Sequence, residues 1–281
     1  MNSRWHWQIA PQLRAILGPH SDTWPAFENR HDRLAGELAW QAAREAVPLS
    51  LLPTEAVFAR RHACYLRADR TDVWALGQPP SRWVCVEGDL PPPGQPYLAL
   101  TAHYGAGAWA HVLFGRHHGQ TRWLFAPPSM ADLPDAQRTL VARRLRVLEA
   151  AMRYPPLPTG GAAKAILAWW RQGGGLMALG DAPPGRRQHF WIQPWPGWAL
   201  AIPAGLFRLA AQMRVPVYVY FCTLTRHGHR HIRVEPPILS DQPLELAQHF
   251  AALFGNALQQ DPAAWHFWPA LAALRPDAAV R

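Results

Sequence analysis

The stretch Tyr97-Leu98-Ala99-Leu100-Thr101-Ala102-His103-Tyr104-Gly105-Ala106-Gly107-Ala108 decides how this chain is read. Its first six residues form an apolar run that reads as a buried strand, and the small residues after His103 read as a turn into a helix. Open α/β sheets place their chemistry just beyond the carboxyl ends of their strands, which is where His103 stands. One reading of this imidazole is a general base that takes a proton from a hydroxyl or an amine. The other is a histidine that caps the next helix or hydrogen-bonds in the core. Gly105 and Gly107 favour the first reading, because they let backbone come close to a substrate.

Outward from this stretch, strands and helices alternate. Residues 1–70 read as helical, with Leu34, Leu38, Ala42 and Ala46 at helical spacing. Trp83-Val84-Cys85-Val86 reads as a strand, as does Arg122-Trp123-Leu124-Phe125, with a helix over about 107–115 between them. Residues 135–152 are the clearest amphipathic helix, with Val141, Leu145, Leu148 and Met152 as its apolar stripe and Arg138, Arg143 and Arg146 elsewhere on it. A helix over 161–172 ends at Gly173-Gly174-Gly175. The strand Leu176-Met177-Ala178-Leu179 then runs into Gly180-Asp181. Residues 182–201, rich in Pro, Trp and Arg, read as irregular. Further on come a helix over 203–213, strands over 215–222 and 231–234, and a helix over 243–258. The pattern predicts one domain over 1–281: a helical N-terminal part to residue 75, and an α/β core over 80–270. That core is a three-layer α/β/α sandwich with a mostly parallel or mixed central sheet.

The composition narrows the class. The chain has 281 residues, 49% of them hydrophobic, which excludes a disordered polymer. No apolar run reaches the ~18 residues of a membrane-spanning helix, and the N-terminus lacks the apolar core of a secretory signal. A cytoplasmic protein is expected. Three cysteines without CxxC spacing, Cys64, Cys85 and Cys222, suit a reducing compartment, and Cys85 and Cys222 read as buried thiols. The formal charge is +9, nearly all from arginine, with Lys164 the single lysine. This balance implies an acidic partner: phospholipid head groups, a phosphopantetheine carrier protein or nucleic acid. Fifteen tryptophans beside so many arginines favour a lipid surface or a ligand cleft.

Other candidates follow. Asp181 also ends a strand, and neighbouring parallel strands bring their carboxyl ends to one edge. It either orients His103, or it caps a turn or pairs with Arg186 or Arg187. Those two arginines, with Phe190, Trp191, Trp195 and Trp198, read either as a loop offering cations to phosphates and rings to acyl chains, or as an ordinary surface loop. His227, His229 and His231 alternate as at a hairpin tip, a weak arrangement for zinc, so no metal is expected. No GxSxG elbow, P-loop or GxGxxG occurs, which removes serine hydrolase, nucleotide hydrolase and dinucleotide oxidoreductase readings. Nucleic-acid binding rests on charge alone and is not expected.

The segment His103 to Ala108 resembles the lysophospholipid acyltransferase superfamily, and within it the branch of the lauroyl and myristoyl acyltransferases of lipid A synthesis. Downstream, Gly174 to Asp181 resembles that branch's strand ending in an aspartate. Ala201-Ile202-Pro203-Ala204-Gly205 through Val215-Pro216-Val217 resembles its helix and following strand, and Pro262-Ala263-Ala264-Trp265-His266-Phe267-Trp268 resembles its terminal Trp-rich segment. The likeness spans roughly residues 30 to 270. It departs at two points: the family's carboxylate five positions after the histidine is Ala108, and its N-terminal membrane helix is missing. The resemblance implies acyl transfer from an acyl carrier protein or coenzyme A thioester, with no other cofactor, to a hydroxyl or amine. His103 would be the base, with Asp181 the candidate to replace the missing carboxylate. Tyr104, Gly105, Gly107, Arg186, Arg187 and Trp191 would bind substrate. The setting it implies is cytoplasmic, with peripheral contact to an anionic inner-membrane surface. The departures also admit a thioester-using enzyme of a specialised pathway, or a non-catalytic descendant that binds acyl chains or carrier proteins.

Overall fold

The computed structural model describes residues 4–126, 133–183, 188–195 and 197–274. The chain begins with α1 (Ala10–Leu17), α2 (Arg30–Ala46) and α3 (Glu55–Ala75). It continues through β1 (Val84–Glu87), β2 (Tyr97–Thr101), α4 (Ala108–His118), β3 (Thr121–Phe125), α5 (Asp135–Met152), β4 (Leu157–Pro158), α6 (Ala163–Arg171) and β5 (Gly175–Leu179). After β5 come β6 (His189–Trp195), β7 (Trp198–Pro203), α7 (Gly205–Met213), β8 (Val217–Leu224), β9 (Arg230–Val234) and α8 (Pro243–Gln260).

Seven strands form one sheet in the order β1-β9-β8-β2-β5-β3-β4, every pair parallel except the β8–β9 hairpin. β2 and β5 are apolar runs without alternation, as strands covered on both faces must be. Their side chains divide between two cores. Leu98, Leu100, Leu176 and Ala178 pack with α6, α7 and α8. Tyr97, Ala99 and Met177 pack with α4 and α5. This is the three-layer α/β/α sandwich expected.

Four local expectations are corrected. Residues 189–201, expected to be irregular, fall within the antiparallel hairpin β6–β7, whose register shifts between Ile192 and Trp195; Pro194 and the bulge interrupt the alternation that marks a strand. In α2 the buried face is Gly36, Ala39 and Ala43, while Leu34 and Leu38 are exposed. A Cβ at Gly36 would stand 2.4 Å from the carbonyl oxygen of Ala59, so the small residues permit the close packing of α2 on α3 and turn the leucines outward. In α5, Leu140 is buried with Leu148 and Met152, and Val141 and Leu145 are only partly covered. Of the cysteines, Cys64 and Cys222 are buried but Cys85 is exposed, because β1 lies at the sheet edge.

A buried ionic cluster fastens the N-terminal segment to the sheet. Arg230, on β9, forms ion pairs with Asp22 at 2.8 Å and with Asp72 at 2.6 Å, all three fully buried. Its guanidinium also donates to the carbonyls of Gly228 and Ala68. Arg14 from α1 and Thr71 from α3 also bond Asp22, and the Trp109 indole of α4 bonds Asp72 at 3.0 Å.

Neutral histidines are buried as well. Burial pushes His62 down to about 4, and its Nδ1–H donates to the Ala263 carbonyl at 2.8 Å. The unfolded chain binds this proton near pH 6.5, whereas the folded chain resists it until about pH 4. The associated stability is therefore complete above pH 6.5 and drains as pH falls toward 4, by roughly 3 kcal/mol at full loss. Denaturant midpoints should fall over that window, and His62→Gln should flatten the slope. A midpoint insensitive to pH in the wild-type protein would contradict it.

Candidate active site

β2 and β5 pair in register, Thr101 opposite Leu179. Two residues beyond each strand stand His103 and Asp181, so the parallel register sets them level at one sheet edge. The carboxylate of Asp181 is 1% exposed and accepts three hydrogen bonds. They come from the His103 backbone N–H at 2.8 Å, the His103 Nδ1–H at 2.9 Å and the Trp265 indole at 2.8 Å. A carboxylate so held fixes the imidazole tautomer with hydrogen on Nδ1 and a lone pair on Nε2. Among the described residues nothing bonds that Nε2, and the His103 side chain remains 30% exposed.

Two further supports hold the ring. Phe267 stacks on it with centroids 3.8 Å apart and planes at 17°. Backbone N–H of His266 donates to the His103 carbonyl at 2.8 Å. The loop after His103 turns tightly through Gly105, whose φ is +69° and whose added Cβ would meet the Cys222 carbonyl oxygen at 1.5 Å. Only glycine fits, because the backbone here bridges directly to β8.

His103 lines a cavity of about 230 Å³ with Gly105, Gly107, Ala108, His111 and His266. Ala108 opens α4 and contributes only a methyl group to the wall. Asp69 and Arg144 form an ion pair on another wall. Burial alone would raise Asp69, but Arg144 holds it below the ordinary carboxylate range. Burial pushes His111 down to about 4 and lowers His266. A larger cleft, about 860 Å³, adjoins the cavity at Leu179 and is walled by Leu124, Ile166, Leu206 and Leu209.

The other candidates divide between this cavity and places away from it. Tyr104 borders the cavity, but it is buried and its hydroxyl donates to the carbonyls of Ala257 and Asp261, at the end of α8. Gly105 and Gly107 line the cavity. Trp191 is exposed on β6, outside the lining of this cavity and of the larger cleft. Arg186 and Arg187 lie outside the described residues. His227 and His229 lie at the β8–β9 turn and face His20, while His231 bonds Glu87. Among the described residues no group of three or more His, Cys, Asp or Glu converges as a metal site. Sequence reading missed Asp69, Arg144 and His266; His266 stood inside the terminal Trp-rich segment already singled out, but nothing in its spacing marked it.

No helix among the described residues is long and apolar enough to cross a membrane. No protein-family model matches the chain, and no curated protein matches it. Among solved structures it is similar to the crystal structure of the 1-acyl-sn-glycerophosphate (LPA) acyltransferase PlsC from Thermotoga maritima. The sequence identity is 13% and the TM-score 0.42, with 84% of this chain and 98% of that chain covered.

Proposed function

We propose that the protein is an acyltransferase that moves an acyl group from an acyl carrier protein or coenzyme A thioester to a hydroxyl or amine, with His103 as base. The observation that carries this reading is the His103–Asp181 pair: an imidazole fixed by a buried carboxylate, its free nitrogen on a cavity. Nε2 takes the proton of the acceptor as its O or N attacks the thioester carbonyl carbon. The C–S bond then breaks, and the same imidazole returns the proton to the departing thiolate. Asp181, reaching the ring from β5, does the orienting that Ala108 cannot. The adjoining apolar cleft suits the acyl chain.

A peripheral, cytoplasmic contact with an anionic membrane is part of the proposal. It is supported by the net charge of +9 and by an exposed apolar row, Trp5, Ile9, Leu13, Ile16 and Leu17, at helical spacing.

The test is thiol release from acyl-carrier-protein and acyl-coenzyme A thioesters by purified protein. Turnover should vanish in His103→Ala while circular dichroism is unchanged. Turnover equal to wild type in that variant sinks the reading.

A further inference from the structure

The cavity holds a second imidazole with the opposite tautomer. Nε2 of His266 lies 2.7 Å from the Gly105 carbonyl, which can only accept, so Nε2 carries the hydrogen. Nδ1 is left with a lone pair and, among the described residues, has no hydrogen-bond partner. His266 lines the same cavity of about 230 Å³ as His103, and their backbones are joined by a 2.8 Å hydrogen bond. Two imidazoles, each with a nitrogen that has no hydrogen-bond partner among the described residues, therefore line one small chamber.

Acceptor chemistry decides what two bases are for. A hydroxyl gives up one proton on acylation, and one base both takes it and returns it to the thiolate. A primary amine arrives at neutral pH as an ammonium and gives up two. We propose that the acceptor is a primary amine and that His266 is a second catalytic base, which strips the ammonium before attack. This rests on the acyl-transfer reading above.

The steps balance. The ammonium passes one proton to Nδ1 of His266, and the imidazolium returns it to water. The freed amine nitrogen bonds the thioester carbonyl carbon, and Nε2 of His103 takes the second proton. The C–S bond breaks, and the thiolate leaves with that proton. Ammonium and thioester give amide, thiol and one proton to solvent.

The surroundings keep this imidazole unprotonated. Facing His266 are Asp69 and His62 from α3, Arg144 from α5, His111 from α4, and His103. Burial keeps the His266 ring below the ordinary imidazole range and hence neutral, against the opposing pull of Asp69.

The experiment compares butylamine and butanol as acceptors for one acyl thioester, in wild type and His266→Gln, from pH 7 to 10. Glutamine keeps an N–H for the Gly105 carbonyl but has no basic nitrogen, so a purely structural role survives it. Wild type should acylate butylamine faster than butanol. The variant should lose about 10²–10³ in butylamine transfer at pH 7, and the loss should shrink as pH approaches the amine's own pKa. Preference for butanol, an undiminished variant, or a loss equal at every pH overturns the proposal. A second readout separates it from the acyl-transfer reading. If wild type turns over no thioester with either acceptor, that reading falls. The His266 ¹⁵N resonance, assigned by its absence in the variant, then decides the inference: it should shift with butylammonium, and no shift overturns it.

Discussion

Asp181→Asn lowers thioester turnover about 10⁴-fold, the scale of loss when an orienting aspartate is so changed in a serine-protease triad. The argument is one of tautomers. Asp181 accepts from Nδ1–H of His103, from its backbone N–H and from the Trp265 indole. An asparagine accepts through one oxygen only and turns an N–H₂ toward the remaining donors. Relief comes if Nδ1 becomes an acceptor, which moves the ring hydrogen to Nε2. The imidazole then presents a donor to the acceptor group and cannot take its proton. The loss should fall on kcat, with KM for the thioester little changed, because Asp181 is buried and touches no cavity wall. Combining it with His103→Ala should cost no more than His103→Ala alone, since the two act as a unit. A single-variant rate within tenfold of wild type would remove Asp181 from the mechanism.

Arg230→Leu costs about 3–5 kcal/mol of stability, the range for breaking a buried ion pair from one side. Leucine fills much of the space but leaves Asp72 facing only the Trp109 indole, and leaves Asp22 to Arg14 and Thr71. Two carbonyls, of Gly228 and Ala68, lose their donor as well. Against a total of about 5–15 kcal/mol for a natural protein, this is a large fraction. Urea titration followed by tryptophan fluorescence measures it, and a midpoint unmoved from wild type would show that the cluster is not what fastens the N-terminal segment.

The sheet was legible because its central strands are unbroken apolar runs. Residues 97–102 and 176–179 need cover on both faces, which forces helices above and below. The adjacency of His103 and Asp181 was legible only as an alternative, because register is not written in either strand; in the structure both stand two residues past paired ends. The hairpin over 189–203 was hidden by Pro194 and a bulge. The inner face of α2 was misread because a Gly–Ala seam, and not its leucines, meets α3. The Asp69–Arg144 wall joins helices whose charged residues each look like ordinary solvated positions. His266 was overlooked because its hydrogen-bond partner is a carbonyl 161 positions away.

Residues 265 to 267 reach this place one after another: an indole on the carboxylate, an imidazole on the glycine carbonyl, a phenyl ring against His103. They come from a short connecting stretch and not from the sheet. Trp265 and Trp268 are fully buried in the main apolar core, so this stretch is held by the same packing as the sheet. Heating therefore frees the imidazole only as that core opens, and thermal inactivation coincides with melting.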